Sequence, residues 1–379
     1  MRLNMNLVQE LPPCVSFGSI VELNSYRITT QCLALEVPHA VKSRTICLVS
    51  SPPDTMETHH FTVRNDELGP LQDGEVLVRN TWLSIDPSIR LRLGSNAPAG
   101  YLPPIQPGEP LAGLALGVVM DSRDAGFEFG DTVSHMSGYR DYAVVNSAAG
   151  GLGGAGTLTK IDAGSFPPQW FLGPLGSSGL TAYVGLFEIL DLKPSDTVWV
   201  SAAAGAVGSI ATQLAGLHGC TVVASAGNAD KVQFLRDSLG ATAAFDYHDG
   251  DIGALLADAA PDGIDAYFDN VGGSHFAAAL DHLRPGGRVA MCGAVSTYGS
   301  STAMPSNLFQ ITAKSLRLEG FRAGSYDHLY DDMRTLVGGY LQDGRLIYEE
   351  SVFDGLEQAP VALISMLDGD TTGKTLCRL

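Results

Sequence analysis

The chain has 379 residues, with 41 acidic against 23 basic side chains and a formal net charge of -18. Its 45% hydrophobic and 17% charged content excludes wholesale disorder, and at about 150 residues per domain the length predicts two or three domains. The acidity excludes general nucleic-acid binding, and the longest nearly uninterrupted apolar run, Leu111 to Met120, reaches about half the length of a membrane-spanning helix.

Residues 1 to 43 carry neither a 2.0 nor a 3.6 period and read as an extension, either an arm that covers substrate or a partner, or a passive one. Glu10 and Glu22, with no basic stretch leading into an apolar one, argue against a transit peptide. From Thr45 the pattern is β-like. Thr45 to Val49, Glu75 to Arg79, Leu111 to Met120 and Thr132 to Ser134 are short runs broken at Ser51-Pro52-Pro53, Asp73-Gly74, Pro107-Gly108 and Gly130-Asp131. They predict a small β-rich domain, with Gly150 to Gly156 as a surface loop. Near Gly173 strands begin to alternate with helices. Strands are predicted at Thr197 to Ala202, Thr221 to Ala226, Ala243 to Phe245, Ile264 to Asp269, Gly287 to Cys292 and Ser315 to Phe321. Helices are predicted at Ala206 to Leu217, at Asp230 to Leu239 capped by Gly240, and around Leu329 to Leu341. Such alternation means a doubly wound parallel sheet. The β-like end, Lys374 to Leu379, is expected to return to the first domain.

Six scattered cysteines, with no C-x-x-C pair, suggest neither a disulfide framework nor a structural zinc lobe, and a reduced cytoplasmic setting is expected. After the strand Thr197 to Ala202 comes Ala203-Ala204-Gly205-Ala206-Val207-Gly208, a G-x-G-x-x-G pattern with alanine first. Gly205 lets backbone approach a pyrophosphate, Gly208 lets the helix pack on the sheet, and the helix end at Ala206 and Val207 supplies N–H donors. The next strand ends Ala224-Ser225-Ala226-Gly227-Asn228 with no carboxylate for a ribose 2′-hydroxyl, and Lys231 follows. A lone lysine is usually a solvated one. The missing carboxylate nevertheless favours a 2′-phosphate and therefore NADPH over NADH.

Several segments then match one family in order: Leu83 to Pro87, Gly108-Glu109-Pro110, Gly179 to Tyr183, Ser201 to Ser209, Asp269 to Gly273 and Cys292 to Tyr298. From Lys42 to Leu379 the chain resembles the zinc-independent medium-chain reductases, in the prostaglandin reductase / alkenal double-bond reductase branch. The resemblance implies an α/β protein with a GroES-like β-rich catalytic domain (residues 44–170 and 343–379) and a Rossmann domain (171–342), the active site lying between them. It implies that Gly205 to Gly208 hold the pyrophosphate, that Gly227, Lys231 and Tyr247 surround the 2′-phosphate, and that Asn270 contacts the cofactor. Cys292, Gly293, Ala294, Val295, Ser296, Thr297 and Tyr298 would run under the ribose and nicotinamide, and Phe321, Arg322 and Ala323 would meet the carboxamide edge. By themselves Tyr247 reads equally as a half-buried tyrosine and Asn270 as a turn residue, and Cys292 lacks a base to make it a nucleophile.

The chain also departs from this family: Ser88 stands where a tyrosine is usual, Thr371 where a cofactor-touching asparagine is usual, and Arg322 where an apolar residue is usual. The implied reaction is hydride transfer to the β-carbon of an enone or enal, with Tyr298 and Tyr101 as the phenols near the carbonyl oxygen. Tyr101 reads equally as a loop aromatic packed on Pro103 and Pro104. No metal is expected, because Pro107-Gly108-Glu109 lacks the histidine of a zinc alcohol dehydrogenase. Quinone reduction, an unusual biosynthetic enone, and a non-catalytic NADPH-binding interaction protein stay open. A homodimer is implied by the resemblance alone.

Overall fold

A computed structural model describes residues 41–94, 97–148, 157–299 and 305–379. The first forty residues, which make up nearly all of the expected arm, and the loop Gly150 to Gly156 lie outside the described residues.

The described chain starts with β1 (Val41–Leu48) and β2 (Phe61–Leu68), an antiparallel pair in register from Val41 opposite Leu68 to Leu48 opposite Phe61. Then follow β3 (Glu75–Ser84), the short helix α1 (Ser88–Arg92), β4 (Ala115–Ser122), β5 (Thr132–His135), β6 (Tyr142–Asn146) and β7 (Thr159–Lys160). β3 is the hub of this region and pairs antiparallel with β4 and β6. The apolar run from Leu111 enters the sheet only at Ala115. Leu111 is fully buried, yet its N–H donates to Ile46 O (2.8 Å) rather than into the β3–β4 ladder. Burial on all sides, rather than extension, accounts for its apolar character.

Helix α2 (Ser177–Tyr183) runs into a π-helical turn at Val184–Ile189, and the alternating region follows. Its elements are β8 (Thr197–Val200), α3 (Ala206–Leu217), β9 (Thr221–Ala226), α4 (Ala229–Asp237), β10 (Ala243–Asp246), α5 (Ile252–Ala259) and β11 (Ile264–Asp269). They continue with α6 (Gly273–His282), β12 (Leu283–Met291), α7 (Phe309–Ala313), β13 (Arg317–Gly320) and α8 (Tyr330–Gln342). These six strands form a parallel sheet in the order β10-β9-β8-β11-β12-β13. Alternate residues serve opposite faces: Val198, Val200 and Phe268 pack in one core, Trp199, Val223 and Tyr267 in another. Trp199 stacks on Tyr267 at 4.4 Å between ring centroids. The strand order reverses between β8 and β11, so their carboxyl ends open a crevice, the usual ligand site of such sheets.

The chain closes with β14 (Glu350–Asp354), α9 (Ala359–Leu367) and β15 (Lys374–Arg378). β15 pairs parallel with β14 and antiparallel with β3, so the C-terminal strands lie in the sheet begun by the first part of the chain. Among the described residues no helix is long and apolar enough to cross a membrane.

Candidate active site

At the reversal between β8 and β11, Ser201 ties the two strand ends together. Its hydroxyl oxygen accepts from Asn270 N–H (3.0 Å) and lies 3.0 Å from the Tyr267 hydroxyl oxygen, while Asn270 Nδ2 donates to Ser201 O (2.8 Å). Asp269 is buried beside them, and its Oδ1 accepts from Tyr267 O–H, Val271 N–H and Gly272 N–H at 2.7 to 2.9 Å. Burial raises its carboxyl pKa, opposed by those three bonds. Asn270 thus spends its backbone N–H and one Nδ2 hydrogen on Ser201. Ser201 and Asp269, unassigned from the sequence, shape the crevice through turns that a strand-end Asp before Asn-Val-Gly-Gly can signal.

The glycine turn lies on the same edge. Gly205 caps α3 with φ -83° and ψ 179°, and no side chain caps the helix end. A Cβ at Gly205 would meet only Ala202 O, at 3.3 Å, whereas one at Gly208 would come within 2.3 Å of Ala202 O and 2.7 Å of Ala203 Cα. Gly208 therefore sets the helix against the turn, and Gly205 leaves open the approach to the uncapped N–H groups of Ala206 and Val207. That is the geometry an anionic pyrophosphate needs.

The tips of β9 and β10 bring Gly227, Lys231 and Tyr247 together. The Tyr247 hydroxyl lies over Gly227, where a Cβ would meet it at 2.8 Å. Asn228 caps α4 by accepting from Lys231 N–H (2.9 Å). The Lys231 ammonium donates to Gly369 O, and burial lowers its pKa while Asp370 opposes the shift. His248, which sequence reasoning missed, donates through Nδ1 to Gly227 O (3.0 Å) and packs on Tyr247. The loop before β15 lies along the glycine turn, since Gly373 N–H donates to Ala204 O (2.8 Å). That contact brings Thr371 into the neighbourhood, its hydroxyl oxygen accepting from Thr375 O–H at 3.0 Å.

Beyond β12, Cys292 N–H and Gly293 N–H both donate to Asp269 O, Val295 N–H to Asn270 O, and Ser296 N–H to Val271 O. Val295, Ser296 and Thr297 form one 3-10 turn. Burial, with Asp269 adding to it, pushes the Cys292 thiol up to about 12, so it stays protonated and is no nucleophile. Ala294 N–H donates to the Tyr298 hydroxyl oxygen (3.3 Å), leaving that O–H free to donate. Burial raises the Tyr298 pKa, opposed by the Ala294 bond and reinforced by Tyr101, which therefore lies within electrostatic reach. Burial likewise raises Tyr101, opposed by a hydrogen bond from Ser88 and reinforced by Asp86, with Arg322 and Arg92 opposing. Both phenols are neutral donors at ordinary pH.

Phe321 turns its ring inward, edge-on to Phe268 at 6.4 Å and against Gly185, leaving only backbone at the tip of β13. Arg322 donates to Gly100 O (3.2 Å), with its guanidinium 5.5 Å from the Tyr101 ring centre, and Ala323 starts the next 3-10 turn. Behind this cluster the buried Lys374 pairs with Asp86 at 2.7 Å, and Ser84 O–H donates to the same carboxylate at 2.6 Å. Among the described residues no group of three or more His, Cys, Asp or Glu side chains is placed to hold a metal ion.

Residues 44–150 match the family model described as the N-terminal domain of oxidoreductase, and residues 206–338 the one described as zinc-binding dehydrogenase. The chain is 38% identical over 307 residues to the 2-alkenal reductase (NADP(+)-dependent) of Nicotiana tabacum, covering 80% of this chain and 87% of the relative. It is 34% identical over 345 residues to the NADPH-dependent curcumin reductase of Escherichia coli (strain K12), covering 89% and 97%. Among solved structures, CurA from Vibrio vulnificus in complex with NADPH superposes with a TM-score of 0.81 at 33% identity, covering 88% of this chain and 98% of that one.

Proposed function

The chain belongs to the zinc-independent medium-chain reductases, in the prostaglandin reductase and alkenal double-bond reductase branch, with a GroES-like and a Rossmann domain, and from this premise we propose how its crevice works. It is an NADPH-dependent reductase of the conjugated carbon–carbon bond in α,β-unsaturated carbonyl compounds. The observation that carries this reading is the neutral Tyr298 phenol, on a segment bonded to Asp269 and Asn270 at the end of β11, with Tyr101 within electrostatic reach of it. When bound, NADPH supplies the hydride. The chain's own residues do the rest. The Gly205 to Gly208 turn and the α3 N–H groups hold the pyrophosphate, and Lys231, Tyr247 and Gly227 take the 2′-phosphate. The segment Cys292 to Tyr298, fixed by its backbone bonds to Asp269, Asn270 and Val271, sets the floor. Tyr298 O–H donates to the substrate carbonyl oxygen, where negative charge develops, and a preorganised donor there lowers the barrier.

The division into residues 44–170 with 343–379 on the substrate side and 171–342 on the cofactor side belongs to the same proposal. It is supported by the separation of the six-stranded parallel sheet from the sheet that holds β3, β14 and β15. So does a homodimer, for which β13 is an edge strand of its sheet among the described residues. A reduced cytoplasmic setting is supported by the free thiols of Cys47, Cys220, Cys292 and Cys377. The test is NADPH oxidation, followed by nicotinamide absorbance, with enals, enones and quinones in parallel. Turnover of enones and enals is expected. Turnover of quinones alone would make it a quinone reductase, and tight NADPH binding without any turnover would make it a binding protein.

A further inference from the structure

Two of the chain's departures from its family, Ser88 and Arg322, meet on one side chain. Ser88 hydrogen-bonds the Tyr101 hydroxyl, and Arg322 lies over the Tyr101 ring while donating to Gly100 O. The charges around this tyrosine do not cancel. Asp86, the carboxylate within reach, is already paired with Lys374 and accepts from Ser84. Arg92 is buried and spends donors on Pro103 O (3.0 Å) and Ala112 O (2.5 Å), and no described carboxylate forms an ion pair with it or with Arg322. A protein of net charge -18 thus keeps two cations, one of them exposed, around a neutral phenol in its proposed substrate crevice.

We propose that Arg322 selects substrates carrying a carboxylate in addition to the conjugated carbonyl, with Ser88 holding Tyr101 so that the guanidinium faces the crevice. Four of its five N–H donors are left after the bond to Gly100 O, enough for a planar two-point contact with a carboxylate. A local excess of positive charge also draws an anionic substrate through the acidic surround. The proposal rests on the reductase reading for its substrate core, but its charge preference can be measured without turnover.

The probes are a methyl-ketone enone with a terminal carboxylate on a five-methylene tether, and its methyl ester. The wild-type kcat/KM should favour the acid about tenfold at low salt, and the preference should shrink as salt rises. Arg322→Leu should bring the acid-to-ester ratio to about one, and Arg322→Lys should keep part of it. By calorimetry on NADP+-loaded protein, the saturated keto acid should bind about tenfold more weakly to Arg322→Leu, with its ester little affected. Equal handling of acid and ester by the wild type, or an Arg322→Leu loss that is the same for both, would overturn the proposal and leave Arg322 as a clamp on the Gly100–Tyr101 loop. Charge-selective binding of the keto acid with no reduction of any enone would refute the reductase reading while supporting the assignment of Arg322.

Discussion

The glycine turn separates packing from ligand binding in two substitutions. A methyl at Gly208 would lie 2.3 Å from Ala202 O and 2.7 Å from Ala203 Cα, both backbone atoms that cannot rotate aside. Helix α3 would have to retreat by roughly an ångström, and overpacking of that kind costs about 1–3 kcal/mol. Exchanging glycine for alanine inside a helix returns up to about 1 kcal/mol. Gly208→Ala should therefore be less stable by about 1–2 kcal/mol, a drop of a few degrees in melting temperature. A methyl at Gly205 meets only Ala202 O at 3.3 Å, on extended backbone, so Gly205→Ala should melt within about a degree of wild type. It would nevertheless stand where the pyrophosphate approaches. Loss of one charge-assisted hydrogen bond, about 1.5–3 kcal/mol, weakens NADPH roughly 10- to 100-fold. The assays are thermal melting without cofactor and NADPH titration by fluorescence. If Gly205→Ala melts as low as Gly208→Ala and binds NADPH normally, the assignment of roles in this turn is wrong.

Lys231→Ala should weaken NADPH more than about tenfold and NADH hardly at all, and equal losses in the two titrations would remove the 2′-phosphate role. Tyr298→Phe should cut turnover about 10- to 100-fold with cofactor affinity nearly unchanged, whereas an undiminished kcat would exclude its hydroxyl as the donor. His135 is fully buried and accepts from Ser137 N–H at 3.1 Å, and burial lowers its pKa from 6.5 to about 3, with Arg140 adding to the shift. Its folded pKa lies below its unfolded one, so the stability it protects is present above pH 6.5 and is lost as pH falls toward 3. At pH 5 the loss is about 2 kcal/mol, and His135→Gln should flatten the fall in melting temperature between pH 7 and pH 5. A slope as steep as that of wild type would show that other groups carry the acid sensitivity.

What the sequence determined by itself is local. The helix Ala206–Leu217 and the strands Thr221–Ala226 and Ile264–Asp269 fall where periodicity and turn residues place them, because a 3.6 or 2.0 repeat is a property of neighbouring residues. The glycine spacing and the missing carboxylate after β9 are legible for the same reason. Leu111 to Leu114 precede the strand although they share its apolar run, because a continuous apolar run reports burial and not backbone shape. Tertiary structure alone decided the rest. Lys374 meets Asp86 only because β15 pairs beside β3, and His248 reaches Gly227 only because β10 lies next to β9. Ser88, Arg322 and Tyr101 lie far apart in the chain, and their convergence depends on how the end of β13 faces the loop after α1. Side-chain pairing across such distances is set by sheet order and packing, which no local pattern encodes, so the residues that distinguish this crevice were visible as departures but not as partners.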